Sequence, residues 1–446
     1  MKLRIKKIGI NGEGIAYYQK KPVFINNALP EEIVEAEIKE DKGTYYIGEV
    51  QKYLTKSKYR IEPVCPYFSK CGGCNLMMTS YLQQLEFKKD ILKEALHRYA
   101  GYNGKINDTV QSDKDLYYRN KCNLPFLDNK GKLDNGLYQP NSNIFQTIDR
   151  CILHSNKLEK LRKEVLQVLN DNNCQLYDKR THRGFRQLII RGMGNDFQVV
   201  LITGEDVLSE KLITELSKCS GLASLYQGVN IQKNPIKMMS DELRLLYGSK
   251  SIPFCLGEYK FQLTPQAFFQ LNQYTALKLY KKIDEIIKDK VNLIVEAYCG
   301  IGAISLFLHE KAQKVIGIDI EPAAIKDSKY NCKLNNITNC QFKLGDASSQ
   351  LNSLIKKEQI DILVVDPPRK GIDEKLLETL ATSNIKKIIY ISCNPATLAK
   401  NIHVLKKNYY LSEVIPFDMF PQTALVETIA VLELKKIKKH IKESLN

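Results

Sequence analysis

The 446-residue sequence has no run of about 18 apolar residues, so no helix is expected to cross a membrane. Its start, Met1-Lys2-Leu3-Arg4-Ile5-Lys6-Lys7, is basic but lacks the apolar stretch and small-residue cleavage site of a secretory signal. A cytoplasmic protein is expected. Acidic charge is short as well: 50 Asp and Glu stand against 66 Lys and Arg, a formal net charge of +16. That surplus calls for a polyanionic partner. No stretch reads as a basic amphipathic anchor, so nucleic acid is favoured over a membrane surface. Cysteine, by contrast, is plentiful. Twelve cysteines in a long cytosolic chain are not a disulfide framework. Cys122, Cys174, Cys219, Cys255, Cys332 and Cys340 stand singly and are expected to be buried.

The length suggests about three domains. Residues 1–58 alternate apolar and polar in short runs broken by turns, such as Val23-Phe24-Ile25 and Thr44-Tyr45-Tyr46-Ile47-Gly48-Glu49-Val50. They fit a small OB-type barrel with Tyr17, Tyr18, Tyr45 and Tyr46 available to stack on RNA bases. Residues 59–255 read as a mixed α+β region. Tyr117 to Phe126 is expected as a strand carrying basic and aromatic groups. An amphipathic helix is expected over 79–100, a candidate to pack on the last domain. Residues 256–446 alternate strand and helix, the pattern of a doubly wound α/β domain with mostly parallel strands.

The middle region opens on Cys65, Cys71 and Cys74, spaced C-x5-C-x2-C on a Gly- and Pro-rich loop. Three thiolates this close can face one metal centre. Zinc fits that chemistry, and so does a [4Fe–4S] cluster. The fourth ligand lies elsewhere, with Cys151 and His154 both candidates.

In the last domain, Ile389-Tyr390-Ile391-Ser392-Cys393-Asn394-Pro395 reads as a buried strand ending in a cysteine. Carboxyl ends of parallel strands are where such sheets bind ligands. A full G-x-G-x-x-G is missing: Gly300 and Gly302 are followed by Ala303, Ile304 and Ser305. Asp319 ends the next strand, placed to take two ribose hydroxyls, and Asp346 follows the third, within reach of an adenine amine. A nucleoside cofactor without a pyrophosphate, such as S-adenosylmethionine, suits that set. Asp366-Pro367-Pro368-Arg369 is a rigid turn that fixes an acid at the mouth of the site. A cysteine one strand away points to uracil carbon 5. A thiolate added at carbon 6 makes carbon 5 nucleophilic, a methyl donor alkylates it, and a base removes its proton. Cys393 is the expected nucleophile and Glu427 the expected base.

These motifs resemble, in order and over nearly the whole chain, the bacterial RNA (uracil-C5)-methyltransferases. The resemblance is to the branch with an N-terminal TRAM barrel and an iron–sulfur cluster. It rests on the cysteine loop, Tyr118-Arg119-Asn120-Lys121, Phe269-Gln270-Leu271-Asn272, Tyr298-Cys299-Gly300-Ile301-Gly302, the Asp366 turn, Ser392-Cys393-Asn394-Pro395 and Met419-Phe420-Pro421-Gln422-Thr423 with Glu427. It implies a Rossmann-like methyltransferase domain behind a TRAM barrel and an iron–sulfur domain. Gln270, Tyr298, Asp319 and Asp366 would bind cofactor. Cys65, Cys71, Cys74 and Cys151 would hold a [4Fe–4S] cluster. Phe268 and Arg119 would lie near the RNA. The family often has a His where this chain has Leu425, and some members have an Asn where it has Ala303. A monomer acting on 23S ribosomal RNA is expected. Transfer RNA is the alternative substrate, and a non-catalytic RNA-binding protein is the alternative of another class. Radical methylthiotransferases also join a cluster to a TRAM barrel, but use C-x3-C-x2-C.

Overall fold

The computed structural model describes residues 1–139, 142, 144–233, 238–239 and 242–435. Six strands between Lys2 and Thr55 form the first sheet. Their order is Lys2–Arg4, Ile33–Asp41, Tyr46–Thr55, Lys21–Ile25, Gly14–Tyr18, Lys7–Ile8. Alternate side chains point inward, so Leu3, Ala16, Val23, Ile25, Val34 and Ala36 share a core. Tyr17 and Tyr18 remain exposed. The fully buried Glu32 pairs with Arg60 at 2.5 Å and closes one end of this unit. Between Thr55 and Tyr81 the chain, including the cysteine loop, has no regular strand or helix.

The helix Tyr81–Ala95 continues through a π turn, Leu96–Ala100, and stops at Gly101 in the left-handed region (φ 66°). One part of its buried face, Phe87 and Ile91, meets Leu76 and Met78 together with Ile8 and Leu29 of the barrel. Leu92, Leu96 and Ala100 pack with Val295, Leu398 and Leu432 in the core of the C-terminal sheet. The fully buried Lys88 ion-pairs with the fully buried Asp418. Removing one partner would strand the other charge, at a cost of about 3–5 kcal/mol. Val110 N donates to Pro416 O at 2.8 Å, so the whole segment from 81 to 110 is fastened to the end of the chain.

The middle sheet has seven strands, in the order Leu243–Gly248, Leu222–Val229, Asp196–Thr203, Phe185–Met193, Lys121–Asn129, Lys132–Tyr138, Phe145–Thr147. Helices Asn156–Asp171 and Glu210–Ser217 cover one face, where Leu161, Val165 and Leu212 meet Leu188, Ile190 and Val199. Serine caps start both: Ser155 Oγ accepts from Leu158 N at 3.3 Å, and Ser209 Oγ from Leu212 N at 3.2 Å.

Two expectations need correction here. The strand anticipated from Tyr117 begins only at Lys121. Tyr117 has φ 56°, and Arg119 forms isolated bridges to both His154 and Asn272, so its backbone serves two partners instead of one ladder. Nor are the single cysteines all buried: Cys255 is exposed, and Cys174 and Cys340 are partly so. Cys255 sits on the outward face of the strand Ile252–Leu256, where every second residue is exposed.

The C-terminal sheet is doubly wound. Its order is Cys340–Leu344, Ala312–Asp319, Val291–Ala297, Ile362–Val365, Lys387–Ser392, Glu427–Leu434, Tyr409–Phe417. The first five are parallel, and Glu427–Leu434 runs antiparallel to both its neighbours. The central parallel strands are mostly apolar, as in Ile362–Val365 and Ile388 to Ile391, because helices cover both faces. Among the described residues no helix is long and apolar enough to cross a membrane.

Candidate active site

Strand register builds the centre of the site. Ser392 is the direct partner of Thr428 in an antiparallel pair. One step further sets Cys393 opposite Glu427, across the end of the ladder. Asn394 and Pro395 then turn the chain into a helix. Asn394 Oδ1 accepts from Ala396 N at 3.2 Å and Thr397 N at 3.4 Å, and Pro395 takes the first helical position. An N-cap followed by proline is what the start of a helix favours, so Ser-Cys-Asn-Pro holds the thiol at a fixed strand end. Ser392 Oγ accepts from Asn394 N at 3.1 Å and tightens that turn.

Asp366 lies one parallel strand away. Val365 is in register with Tyr390 and with Ala297, and Asp366 N donates to Ala297 O at 3.4 Å. The two prolines lead into a turn closed by Gly371 N on Pro368 O at 2.8 Å. Asn394 Nδ2 donates to Arg369 O at 3.2 Å and ties this turn to the Cys393 end.

The electrostatics are those of a desolvated acidic pocket. Burial pushes the Asp366 carboxyl up to about 7. Burial, and then the charge of Asp366, hold Glu427 well above the ordinary carboxyl range, with Arg369 opposing. Burial and the Glu427 charge push the Cys393 thiol up to about 11, although Arg369 acts against them through its charge and a hydrogen bond. Cys393, Glu427, Asp366 and Arg369 therefore act on one another in a single site. Arg369 was visible in the motif, but nothing in the sequence assigned it to the thiol. Tyr280, fully buried and raised by burial and these carboxylates, had no sequence signal at all.

The nucleoside side of the crevice is equally defined. Tyr298, Gly300 and Gly302 all have positive φ, at 66°, 53° and 79°. Tyr298 is the informative one, since left-handed backbone costs a bulky residue energy and persists where the site imposes it. Asp319 Oδ2 accepts from Gly300 N at 2.8 Å, which shapes the turn. Asp346 caps the helix Ala347–Lys357 through Ser349 N at 2.9 Å, and Gly345 N donates to Asp319 O at 2.9 Å, so the two acids end adjacent strands. Gln270 is buried, with its carbonyl held by Asn120 Nδ2 at 3.0 Å. Phe268, two residues earlier, is 67 % exposed.

A second pocket lies apart from this site. Cys65, Cys71, Cys74 and Cys151 line one cavity with Arg119, His154 and Phe68. Burial raises the thiols of Cys65, Cys71 and Cys74. Burial acts to raise Cys151 too, but a hydrogen bond and charge from His154 outweigh it and hold that thiol below the ordinary value. His154 Nδ1 meets Glu159 Oε1 at 2.6 Å, and Glu159 Oε2 accepts from Arg162 Nη2 at 2.9 Å. Arg119 lies here and not beside Cys393, with its Nε buried and unpartnered among the described residues. Among those residues no group of three or more His, Cys, Asp or Glu is arranged to hold a metal ion.

The doubly wound sheet, with its site at the strand carboxyl ends, defines a Rossmann-like methyltransferase domain behind an N-terminal barrel. A family model described as tRNA (Uracil-5-)-methyltransferase matches residues 80–436, and one described as TRAM domain matches residues 1–50. An "Uncharacterized RNA methyltransferase" of Enterococcus faecalis is 37% identical over 444 residues, covering 97% of both chains. One so described from Clostridium tetani is 36% identical over 439 residues, covering 96% of this chain and 95% of its own. The solved structure of Pyrococcus abyssi tRNA (uracil-54, C5)-methyltransferase, in complex with S-adenosyl-L-homocysteine, has the same fold. Its TM-score is 0.77 at 24% identity, over 97% of this chain and 100% of that one. The chain belongs to the tRNA (uracil-5-)-methyltransferase family and is an RNA methyltransferase.

Proposed function

We propose that the protein methylates carbon 5 of a uridine in 23S ribosomal RNA, using S-adenosylmethionine. The observation that carries the carbon 5 chemistry is the register that sets Cys393 opposite Glu427, with Asp366 on the adjacent strand; the choice of ribosomal RNA rests on the resemblance to the branch with a TRAM barrel and a cysteine loop. A methyltransferase acting on an exocyclic amine needs no thiol; carbon 5 of uracil does. A buried Glu427 whose ionisation is opposed by the charge of the half-buried Asp366 suits a cation beside the two, and the cofactor's sulfonium is one. Gln270, Tyr298, Asp319, Asp346 and Asp366 would hold the cofactor, which supplies the methyl group as an electrophile.

The protein's own residues do the rest. Cys393 Sγ, as thiolate, bonds to carbon 6 and shifts the ring electrons to carbon 5. After carbon 5 is alkylated, Glu427 takes its proton, the ring double bond re-forms and the thiolate leaves. Arg369 stabilises the free thiolate, before it attacks and after it leaves. Phe268 offers an exposed ring on which RNA can stack, as do Tyr17 and Tyr18 on the barrel.

Cys65, Cys71, Cys74 and Cys151 would hold a [4Fe–4S] cluster. Four thiols around one cavity are the donor set that a [4Fe–4S] cluster takes. The unpartnered Arg119 Nε suits the cluster's negative charge. A domain division at about residues 58 and 255 goes with this reading, with the 81–110 segment assigned to the catalytic part, and the protein is read as a cytoplasmic monomer.

Transfer RNA is the second reading, favoured by the printed description of the matching family. Incubation with labelled S-adenosylmethionine and either purified 23S ribosomal RNA or transfer RNA tests both. Label on uracil carbon 5 of the ribosomal RNA is expected. Label confined to transfer RNA would move the target, and label on an adenine amine would overturn the mechanism.

A further inference from the structure

The middle sheet carries a basic pair that the chemistry above does not use. Lys121 and Arg191 are direct partners across antiparallel strands. Like charges placed so repel one another and destabilise the sheet. Arg191 is 6 % exposed and donates from Nη1 to Thr264 O at 3.2 Å. Lys121 is half-buried, and its side chain makes no hydrogen bond or ion pair among the described residues. Burial, then the charges of Arg191 and Arg119, pull its ammonium down to about 8. Asp327 is the carboxylate that acts on Arg191. It is already engaged, accepting from Thr264 N at 3.3 Å and Thr264 Oγ1 at 2.6 Å.

The two cations border a niche with Asn120, Gly192, Phe254 and Phe269 that has room for about one water, so an anion meets them at its mouth. Asn120 fastens this niche to the catalytic side, donating from N to Leu271 O at 3.0 Å and from Nδ2 to Gln270 O at 3.0 Å. The exposed Phe268 therefore sits on a segment pinned beside Lys121. Two facing cations without a matching carboxylate, next to an exposed ring, lack an anion that a nucleotide would bring: a ring for the base and a charge pair for its phosphate.

We propose that Lys121 and Arg191 form a seat for a backbone phosphate of the RNA, beside the nucleotide that stacks on Phe268. The seat deepens the RNA-methyltransferase reading and rests on it. Lys121 supplies the accessible charge, and Arg191, locked to Thr264, fixes its geometry. The pair positions RNA and takes no part in bond making.

The test uses the full chain and a single-stranded, uridine-containing RNA oligonucleotide, with affinities measured from 50 to 200 mM KCl. One phosphate contact contributes about 0.7 to the slope of log affinity against log salt. The advantage of the wild type over Lys121→Gln is expected to shrink about 2.6-fold across that range. Lys121→Arg should keep the wild-type slope, and all three proteins should bind S-adenosyl-L-homocysteine equally. Equal slopes for wild type and Lys121→Gln would overturn the seat. So would a loss of S-adenosyl-L-homocysteine binding, which would assign the pair to the cofactor. The slopes are read whether or not methyl transfer occurs, so failure of the seat and failure of the uracil reading are separate results.

Discussion

Cys393 and Cys151 are both partly buried thiols with a cationic side chain beside them, yet their pKa values move in opposite directions. Burial raises both. Around Cys393 the next contribution is the negative charge of Glu427, with Asp366 adding to it and Arg369 alone opposing. Around Cys151 the neighbours are His154 and Arg119, and they win. The difference follows the neighbouring charge: carboxylates act on Cys393 and His154 acts on Cys151, while Cys65, Cys71 and Cys74, which have no such histidine, are raised by burial as Cys393 is.

Five substitutions would break or sharpen that contrast. The largest effect is expected from Cys393→Ala, which should cut methyl transfer by about 10⁴-fold or more and abolish covalent capture of 5-fluorouridine RNA on a denaturing gel. Cys151→Ala should retain that capture, and capture by both variants would erase the distinction. Glu427→Gln comes next. Turnover should fall by about 10²–10⁴-fold while the protein–RNA adduct accumulates, because the carbon 5 proton has no acceptor. Prompt turnover would remove Glu427 from the base's role.

Cys151→Ser addresses the other pocket. Protein purified without oxygen should lose the visible absorbance of an iron–sulfur cluster and unfold at a lower temperature, since a group bound only by the folded state stabilises it. Unchanged absorbance and melting would refute the ligand set. The smallest effect is expected from Arg369→Gln. The thiol's pKa of about 11 makes the thiolate scarcer as pH falls, so kcat/KM should rise with pH below that value. Removing Arg369, which lowers the pKa, should move the rising limb to higher pH by about one unit and slow the reaction about tenfold at pH 7. An unmoved limb would mean that Arg369 does not act on the thiol.

The doubly wound sheet was legible because buried parallel strands are continuous apolar runs, and helices between them leave little ambiguity. The barrel was legible from alternation. The stretch from Tyr117 to Arg119 was misread because its composition suits a strand, while its backbone is divided between His154 and Asn272. Cys255 was misjudged because cysteine type says little about which face of a strand it occupies. Composition alone also gave Lys121 and Arg191 no special standing among 66 basic residues.

The sequence by itself determined the family, the order of the elements, and the residue types at each strand end. Those follow from periodicity and motif, which are local. Only the tertiary structure decided that Glu427 faces Cys393, because that depends on the antiparallel return of the last strand. It fastened the helix after Tyr81, which the sequence offered as a candidate to pack on the last domain, through the pair of Lys88 and Asp418, and it alone set Arg119 against the cysteines of the loop and not Cys393. Partners far apart in sequence are chosen by packing and by the need to pair buried charge, and neither leaves a local pattern to read.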